Sequence, residues 1–145
     1  MGLAYLKALE VSKKHNGIII GADTLVVLNG RLLGKPISKK DAVKMLQSLS
    51  SNEHKVYTGI AIINNSNLIY KAFEVTKVKF RKLSFKEIKF YVASGSPMDK
   101  AGAYGIQDDY SSTFVEKING DYFNIVGLPI LKTYLGLNKI LHLNK

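Results

Sequence analysis

Apolar and polar positions recur along this chain with two different periods, and the switches between them mark its elements. Residues 3–14 carry a helical period: Leu3, Ala4, Ala8 and Val11 share one face of a 3.6-residue wheel, Leu6 and Leu9 lie off it, and Gly17 ends the segment. Ile18-Ile19-Ile20 reads as a buried strand, Gly21-Ala22-Asp23-Thr24 follows it, and Leu25-Val26-Val27-Leu28 reads as a second short strand. Asn29-Gly30 is a strong hairpin signal, with Arg31-Leu32-Leu33 as its return arm. Beyond Pro36, Ser38 and Asp41 have the spacing of a helix-start box, and Ala42, Met45, Leu46 and Leu49 fall at i, i+3, i+4 and i+7.

The second half continues the alternation. His54 to Ile63 is rich in Val, Tyr, Thr and Ile and predicts a long strand. Asn64-Asn65-Ser66-Asn67 turns it back into an antiparallel partner over Leu68 to Phe80, with Val78 and Phe80 inward and Lys77, Lys79 and Arg81 outward. Ser84 with Glu87 is another capping box, opening a helix with Phe85, Ile88, Tyr91 and Val92 on one side. Residues 99–112 read as a loop with a helical turn, Thr113 to Ile118 as a strand, and Asn119-Gly120-Asp121 as a turn. Pro129 suits the first turn of a last helix whose face holds Leu128, Leu131 and Leu135. Long paired strands with segregated helices predict an α/β or α+β domain around a mixed sheet.

Size and charge narrow the class. With 145 residues, 46% apolar and 22% charged, the chain fits a single domain over 1–145. No apolar run approaches the ~20 residues of a spanning helix, so no membrane partner is expected. The first fifteen residues show no signal-peptide pattern, and Leu6 stands where a Met1-Gly2 lipidation motif wants Ser or Thr. The chain has no cysteine, which excludes disulfides, thiolate nucleophiles and cysteine zinc sites, and fits a reducing cytoplasm. Net charge is +10, and only Arg31 and Arg81 among the basic residues are arginine. Such a surface attracts anions, but sequence-specific readers of DNA lean on bidentate arginine, so nucleic acid is not the expected partner. A genome biased toward Lys, Asn and Ile gives the same balance with no partner at all.

Several residues are placed to do chemistry. Gly30-Arg31-Leu32-Leu33-Gly34-Lys35 resembles a shortened phosphate loop, but Pro36 stands where a hydroxyl residue belongs and no helix follows directly. There is no G-x-S-x-G elbow, and His15, His54 and His142 are too widely spaced to pair on a metal. Asp23 lies between two apolar segments, where a carboxylate must be solvated by a site, a cation or a metal; it could act as a base toward water or a metal ligand, but from position alone it reads first as a turn cap. Lys7 falls on the apolar side of its helix, so it either snorkels or meets an anion. Lys35, held extended by the proline after it, is placed to present its ammonium to a phosphate or simply to solvent. Asp99-Lys100-Ala101-Gly102-Ala103-Tyr104-Gly105-Ile106-Gln107 combines small residues that permit close backbone approach with a lysine, a tyrosine and an amide.

Taken in order, these blocks resemble the Maf family of nucleoside triphosphate pyrophosphatases. Leu3-Ala4 with Lys7-Ala8 resembles its L-A-x-x-K-A. Gly21-Ala22-Asp23-Thr24 with Gly34-Lys35-Pro36 resembles its A-D-T…G-K-P. His54-Lys55-Val56-Tyr57-Thr58-Gly59 resembles H-x-V-x-T-G/A, and Asp99 to Gln107 matches D-K-A-G-A-Y-G-I-Q. Asn119-Gly120-Asp121-Tyr122 with Val126-Gly127-Leu128-Pro129 resembles N-G-x-Y-x-x-V-G-L-P. The resemblance spans nearly the whole chain, and ordered blocks are far more specific than any one motif.

The resemblance implies a mixed α/β sheet with flanking helices in a two-lobed architecture like that of inosine triphosphate pyrophosphatases, with a cleft between the lobes. It implies cleavage of a nucleoside triphosphate to the monophosphate and pyrophosphate with a divalent metal, Mg or Mn. Asp23 would be the proton acceptor that activates water, Thr24 and Gln107 specificity positions, and Lys7 and Lys35 phosphate contacts, with Lys100 a further candidate. The Asp-Thr and Ile-Gln forms resemble the subgroup acting on dTTP and UTP; the subgroup preferring 7-methyl-GTP has a Glu in place of the Gln. A cytoplasmic homodimer is implied as well.

Two departures qualify this. The family opens with a strand and loop reading S-x-S-P-R-R-x-x-L, which this sequence lacks; Ser94-Gly95-Ser96-Pro97 is followed by Met98-Asp99 and matches another block. The chain is thus expected to be part of a longer protein or a natural short form, with an exposed sheet edge and impaired catalysis. The alternative function is then a nucleotide-binding or division-regulatory protein. Asp108-Asp109-Tyr110 also replaces a glycine-rich turn, adding negative charge near the expected cleft.

Overall fold

The computed structural model describes residues 2–143 and has a mixed α/β fold. Five helices and five strands follow one another: α1 (Gly2–Ser12), β1 (Ile18–Leu28), β2 (Arg31–Leu33), α2 (Lys39–Leu49), β3 (Glu53–Asn64), β4 (Asn67–Phe80), α3 (Phe85–Ala93), β5 (Val115–Asn119), α4 (Tyr122–Val126) and α5 (Ile130–Leu143). Short 3-10 turns occupy Ser96–Asp99, Ala101–Ala103 and Ser111–Phe114. The strands form one sheet in the order β2-β1-β3-β4-β5. Two compact units share it: one takes in the chain up to Thr24, Tyr57–Val75 and the chain from Asp121 on; the other takes in Leu25–Val56 and Thr76–Gly120.

In the first unit, small residues decide what packs. β1 is one continuous strand rather than two short ones, and Gly21-Ala22-Asp23-Thr24 runs inside it. Helix α1 buries Ala4 and Ala8 of the predicted face, while its larger members Leu3 and Val11 are about half exposed, as is Leu6 off that face. The reason is the distance of approach. A Cβ built on Gly21 would lie 2.1 Å from the Ala4 carbonyl oxygen and 2.9 Å from the Ala8 methyl, so helix and strand meet with no side chain between them. Helix α5 behaves alike. The predicted face of Leu128, Leu131 and Leu135 does not turn inward: Leu131 is 67% and Leu135 48% exposed, while Thr133 and Ile140 are buried. Gly136 lies on the buried side, where a Cβ would come within 2.4 Å of the Tyr70 ring and 2.6 Å of Ile62. β3 and β4 are joined by Asn65-Ser66, both at positive φ (47° and 68°), the geometry of a tight hairpin turn. That turn is held to Gly17, whose N–H donates to Asn65 Oδ1 at 3.0 Å. Helix α4 lies just past the predicted turn; Asp121 caps it by accepting from the Phe123 N–H, and Gly127 closes it at φ 113°.

The second unit follows its sequence signals more closely. The Asn29-Gly30 hairpin pairs Val26 with Leu33 and Leu28 with Arg31, as expected. Ser38 caps α2 by accepting from the Asp41 N–H, and Ala42, Leu46 and Leu49 are buried. The Ser84–Glu87 capping box is complete; α3 buries Ile88, Tyr91 and Val92, but Phe85 is 55% exposed. As N1 of the helix, Phe85 precedes the first full turn that could carry it inward. β5 starts at Val115 rather than Thr113 because Ser111–Phe114 closes a 3-10 turn. Val78 and Phe80 point inward as predicted, and Arg81 ties three segments together. Its Nε donates to the Thr113 carbonyl at 2.8 Å, one terminal nitrogen to the Lys82 carbonyl at 3.0 Å, and the other to Glu87 at 2.7 Å. That last bond, with those from Ser84, holds the Glu87 carboxyl down at about 2.

An aromatic cluster fills this unit. Phe80 meets Tyr104 edge-on at 4.7 Å and His54 at 5.0 Å. His54 is only 1% exposed, and its Nε2 lies 2.7 Å from the Tyr104 hydroxyl. Burial lowers the imidazole pKa from 6.5 to about 4 and pushes the Tyr104 phenol up. Between those two values the unfolded chain holds a proton that the folded chain does not, so stability is full above about pH 6.5 and falls as the pH drops toward 4. Urea unfolding is expected to show a loss of about 1–2 kcal/mol between pH 6.5 and 5, above the range of the carboxylates. A His54→Gln variant should lack that slope; an equal slope in the variant would refute the assignment.

Candidate active site

The continuous strand and the close-packed helix bring two predicted residues together. Side chains on a strand alternate between faces, so Gly21 and Asp23 look the same way. Gly21 admits α1, and one turn along that helix Lys7 reaches Asp23, with Nζ 2.5 Å from Oδ1. The Asp23 side chain is 17% exposed and the Lys7 side chain 58% exposed. The carboxylate is therefore recessed yet open to a ligand, and its cation sits on a long stem able to move. Of the sequence alternatives for Lys7, the anion partner is the one realised, and Asp23 is a strand residue rather than a turn cap.

Thr24 faces the other way. Its hydroxyl lies 2.9 Å from that of Thr58, and Thr58 donates to the Asn124 carbonyl at 2.8 Å. A carbonyl only accepts, so the Thr58 proton is committed and Thr24 must be the donor of the pair. Gly127 approaches so closely that a Cβ there would stand 3.3 Å from the Thr24 hydroxyl. Thr24 thus joins β1 to β3 and α4, on the face away from Asp23. Thr58 and Gly127 stood in the family-like blocks without a role of their own, and Asn124 stood outside the residues quoted for them.

Lys35 and Gln107 belong to the second unit. Lys35 is exposed beside buried Pro36, and the preceding Gly34 carbonyl accepts from the Gly102 N–H at 3.0 Å. Gly102 adopts φ 72°, and a Cβ there would press on Val26 at 3.0 Å, so this glycine is required by both conformation and space. Gln107 is exposed at the third position of a turn closed by the Asp108 N–H donating to the Gly105 carbonyl at 3.1 Å.

Around that turn lies a polar network that the sequence did not announce. Asp108 Oδ2 accepts from the Tyr91 hydroxyl at 2.6 Å and the Ser96 hydroxyl at 2.7 Å, and Lys100 Nζ lies 3.7 Å away. Burial, then the bond to Asp108, pushes the Tyr91 phenol up to about 12. Lys100 donates to the Ser96 carbonyl at 2.7 Å and to Asp99 at 2.9 Å. It therefore acts as a strut within the loop. The charge of Asp108, expected to stand near an anion-binding site, is instead turned onto these donors.

Among the described residues, no group of three or more His, Asp or Glu is gathered to hold a metal. Nor is any described helix long and apolar enough to cross a membrane. The centre that remains is a recessed strand carboxylate paired with a mobile cation, in a mixed α/β fold: an arrangement suited to acid–base chemistry on an anionic ligand.

The chain belongs to the Maf family; the model of the Maf-like protein family matches residues 1–140. Within it, the chain is 57% identical over 137 residues to a dTTP/UTP pyrophosphatase of Clostridium botulinum (strain Okra / Type B1), covering 91% of this chain and 70% of the relative. It is 51% identical over 144 residues to a dTTP/UTP pyrophosphatase of Clostridium tetani (97% and 74% covered). A dTTP/UTP pyrophosphatase of Clostridium perfringens is 51% identical over 134 residues (90% and 69% covered).

Gly21 carries the geometry of the Lys7–Asp23 pair. Gly21→Ala is expected to destabilise the protein by about 1–3 kcal/mol through overpacking against backbone that has no rotamer to yield. Chemical denaturation of this variant beside Gly2→Ala, where nothing lies within 4 Å, checks it: equal stabilities would show that α1 does not depend on the contact.

Proposed function

We propose that this protein hydrolyses nucleoside triphosphates, with dTTP and UTP as preferred substrates, to the monophosphate and pyrophosphate. The observation that carries the reading is the Lys7–Asp23 pair in a chain so similar to proteins named dTTP/UTP pyrophosphatases. A triphosphate rings its phosphorus atoms with anionic oxygens, and cations must shield them before water can attack. Lys7 and Lys35 supply such cations. As Lys7 turns to a phosphate oxygen, the Asp23 carboxylate is left to accept a proton from the attacking water. The water oxygen bonds to phosphorus, the bond between the α- and β-phosphates breaks, and pyrophosphate leaves.

A divalent metal fits this reading in a limited way. One recessed carboxylate suits an ion such as Mg²⁺ or Mn²⁺ that is held mainly by substrate phosphates, and not a cage built of protein ligands. When bound, the ion would supply further charge neutralisation at the phosphates. Gln107, an exposed amide with both donor and acceptor, serves as the contact to the pyrimidine edge. Thr24, the other specificity position, has its hydroxyl tied to Thr58 on β3 and through it to α4, which fixes its place in the strand next to Asp23.

Pyrophosphate release from dTTP, UTP, CTP and 7-methyl-GTP, with Mg²⁺ or Mn²⁺, tests the proposal. Release is expected from dTTP and UTP, reduced about 10²–10⁴-fold by Asp23→Asn. Unchanged turnover in Asp23→Asn would remove Asp23 from the chemistry. Nucleotide binding without any release would favour the binding or regulatory role over the enzyme.

A further inference from the structure

We propose that Asp108 is a positioning residue for Gln107, and that it thereby sets how sharply the protein tells uracil from cytosine. The inference rests on the reading of Gln107 as the pyrimidine contact. The problem it addresses is that a primary amide does not discriminate by itself. With its NH₂ toward O4 and its oxygen toward N3–H it pairs with uracil or thymine; rotated by half a turn, it pairs equally with the N4 amine and N3 of cytosine. Discrimination therefore depends on where the backbone holds the amide relative to the ring, and small displacements of a positioned group are costly.

The turn that carries Gln107 is fixed on both sides. Before it, the Gly105 carbonyl accepts from the Asp108 N–H at 3.1 Å and from the Ser111 hydroxyl at 2.6 Å. After it, the Asp108 side chain reaches back to Tyr91 on α3, which is 2% exposed, and to Ser96 in the neighbouring 3-10 turn. The Asp108 carbonyl accepts from the Ser112 N–H at 3.0 Å. Gly105 leaves room for this network: a Cβ there would stand 2.8 Å from the Lys100 chain and 2.9 Å from Asp108 Oδ1. One carboxylate thus joins α3 and the loop directly beside the exposed amide.

The test is equilibrium binding of the α,β-imido analogues of UTP and CTP, whose α–β bridge resists cleavage, so the readout does not require turnover. Wild type is expected to prefer the UTP analogue, and Gln107→Ala to abolish that preference. Asp108→Ala should lower the CTP-to-UTP ratio of Kd values at least five-fold. Asp108→Asn, which keeps an acceptor for Tyr91 and Ser96, should restore most of it. In the Gln107→Ala background, where no preference is left to lose, Asp108→Ala should change the ratio less than two-fold. Tyr91→Phe cuts a single bond of the network and should shift the ratio in the same direction, even where Asp108→Ala does not fold. If Gln107→Ala removes the preference while Asp108→Ala and Tyr91→Phe leave it intact, the positioning role is overturned and the Gln107 reading stands. If Gln107→Ala leaves the preference intact, both fall.

Discussion

The first unit depends on how near a helix can come to a strand. α1 lies against β1 at Gly21 with the Ala4 carbonyl where a side chain would otherwise be. The Lys7–Asp23 pair follows from this spacing. Lys7 is one turn from Ala4 on the same helix, Asp23 is two residues from Gly21 on the same face of the strand, and only a helix this close brings the two charges into contact. A carboxylate in an otherwise apolar strand is tolerated because its cation arrives with the contact that buries its neighbours.

The second unit is arranged by different means. Its centre is aromatic, with Phe80 touching His54, Tyr104 and Phe114 edge-on, and its polar groups are arranged as networks around that centre. His54 Nε2 and the Tyr104 hydroxyl pair inside the cluster, while Asp108, Tyr91, Ser96 and Lys100 form a network at its margin. The margin is where Gln107 is displayed. The turn that carries this exposed residue is tied to α3 and to the neighbouring loop through Asp108.

Much of this was legible in the sequence. Ser38 with Asp41, Ser84 with Glu87 and Asn29-Gly30 announced two helix starts and a hairpin because their signals are local, a side chain bonding a backbone group a few residues away. The family-like blocks placed Asp23 and Lys7, and the structure joins them. Ala4 and Ala8 face inward as expected, but Leu3 and Val11 of α1 and the expected face of α5 do not, for one shared reason. Wheel reasoning assigns the largest apolar residues to the interior, whereas here Ala4, Ala8 and Gly136 face inward and Leu131 and Leu135 outward. Close approach selects for small volume, and a hydrophobicity pattern carries no information on distance. The Asp108 network was hidden because its members are spread from residue 91 to residue 108, and a carboxylate in a loop looks like solvated charge until its donors are in place.

The two arginines of this lysine-dominated chain differ in what they do. Arg31 is an exposed hairpin residue, while Arg81 donates from Nε and both terminal nitrogens to Thr113, Lys82 and Glu87 at once. A guanidinium holds its donors in one rigid planar fork, a geometry that a compact ammonium on a flexible stem does not reproduce. The positive charge of the chain is therefore of two kinds. Much of it lies on lysines whose flexible stems carry a compact charge. At Arg81 it is joinery, where the shape of the cation matters more than its sign, and where compositional drift toward lysine meets a structural limit.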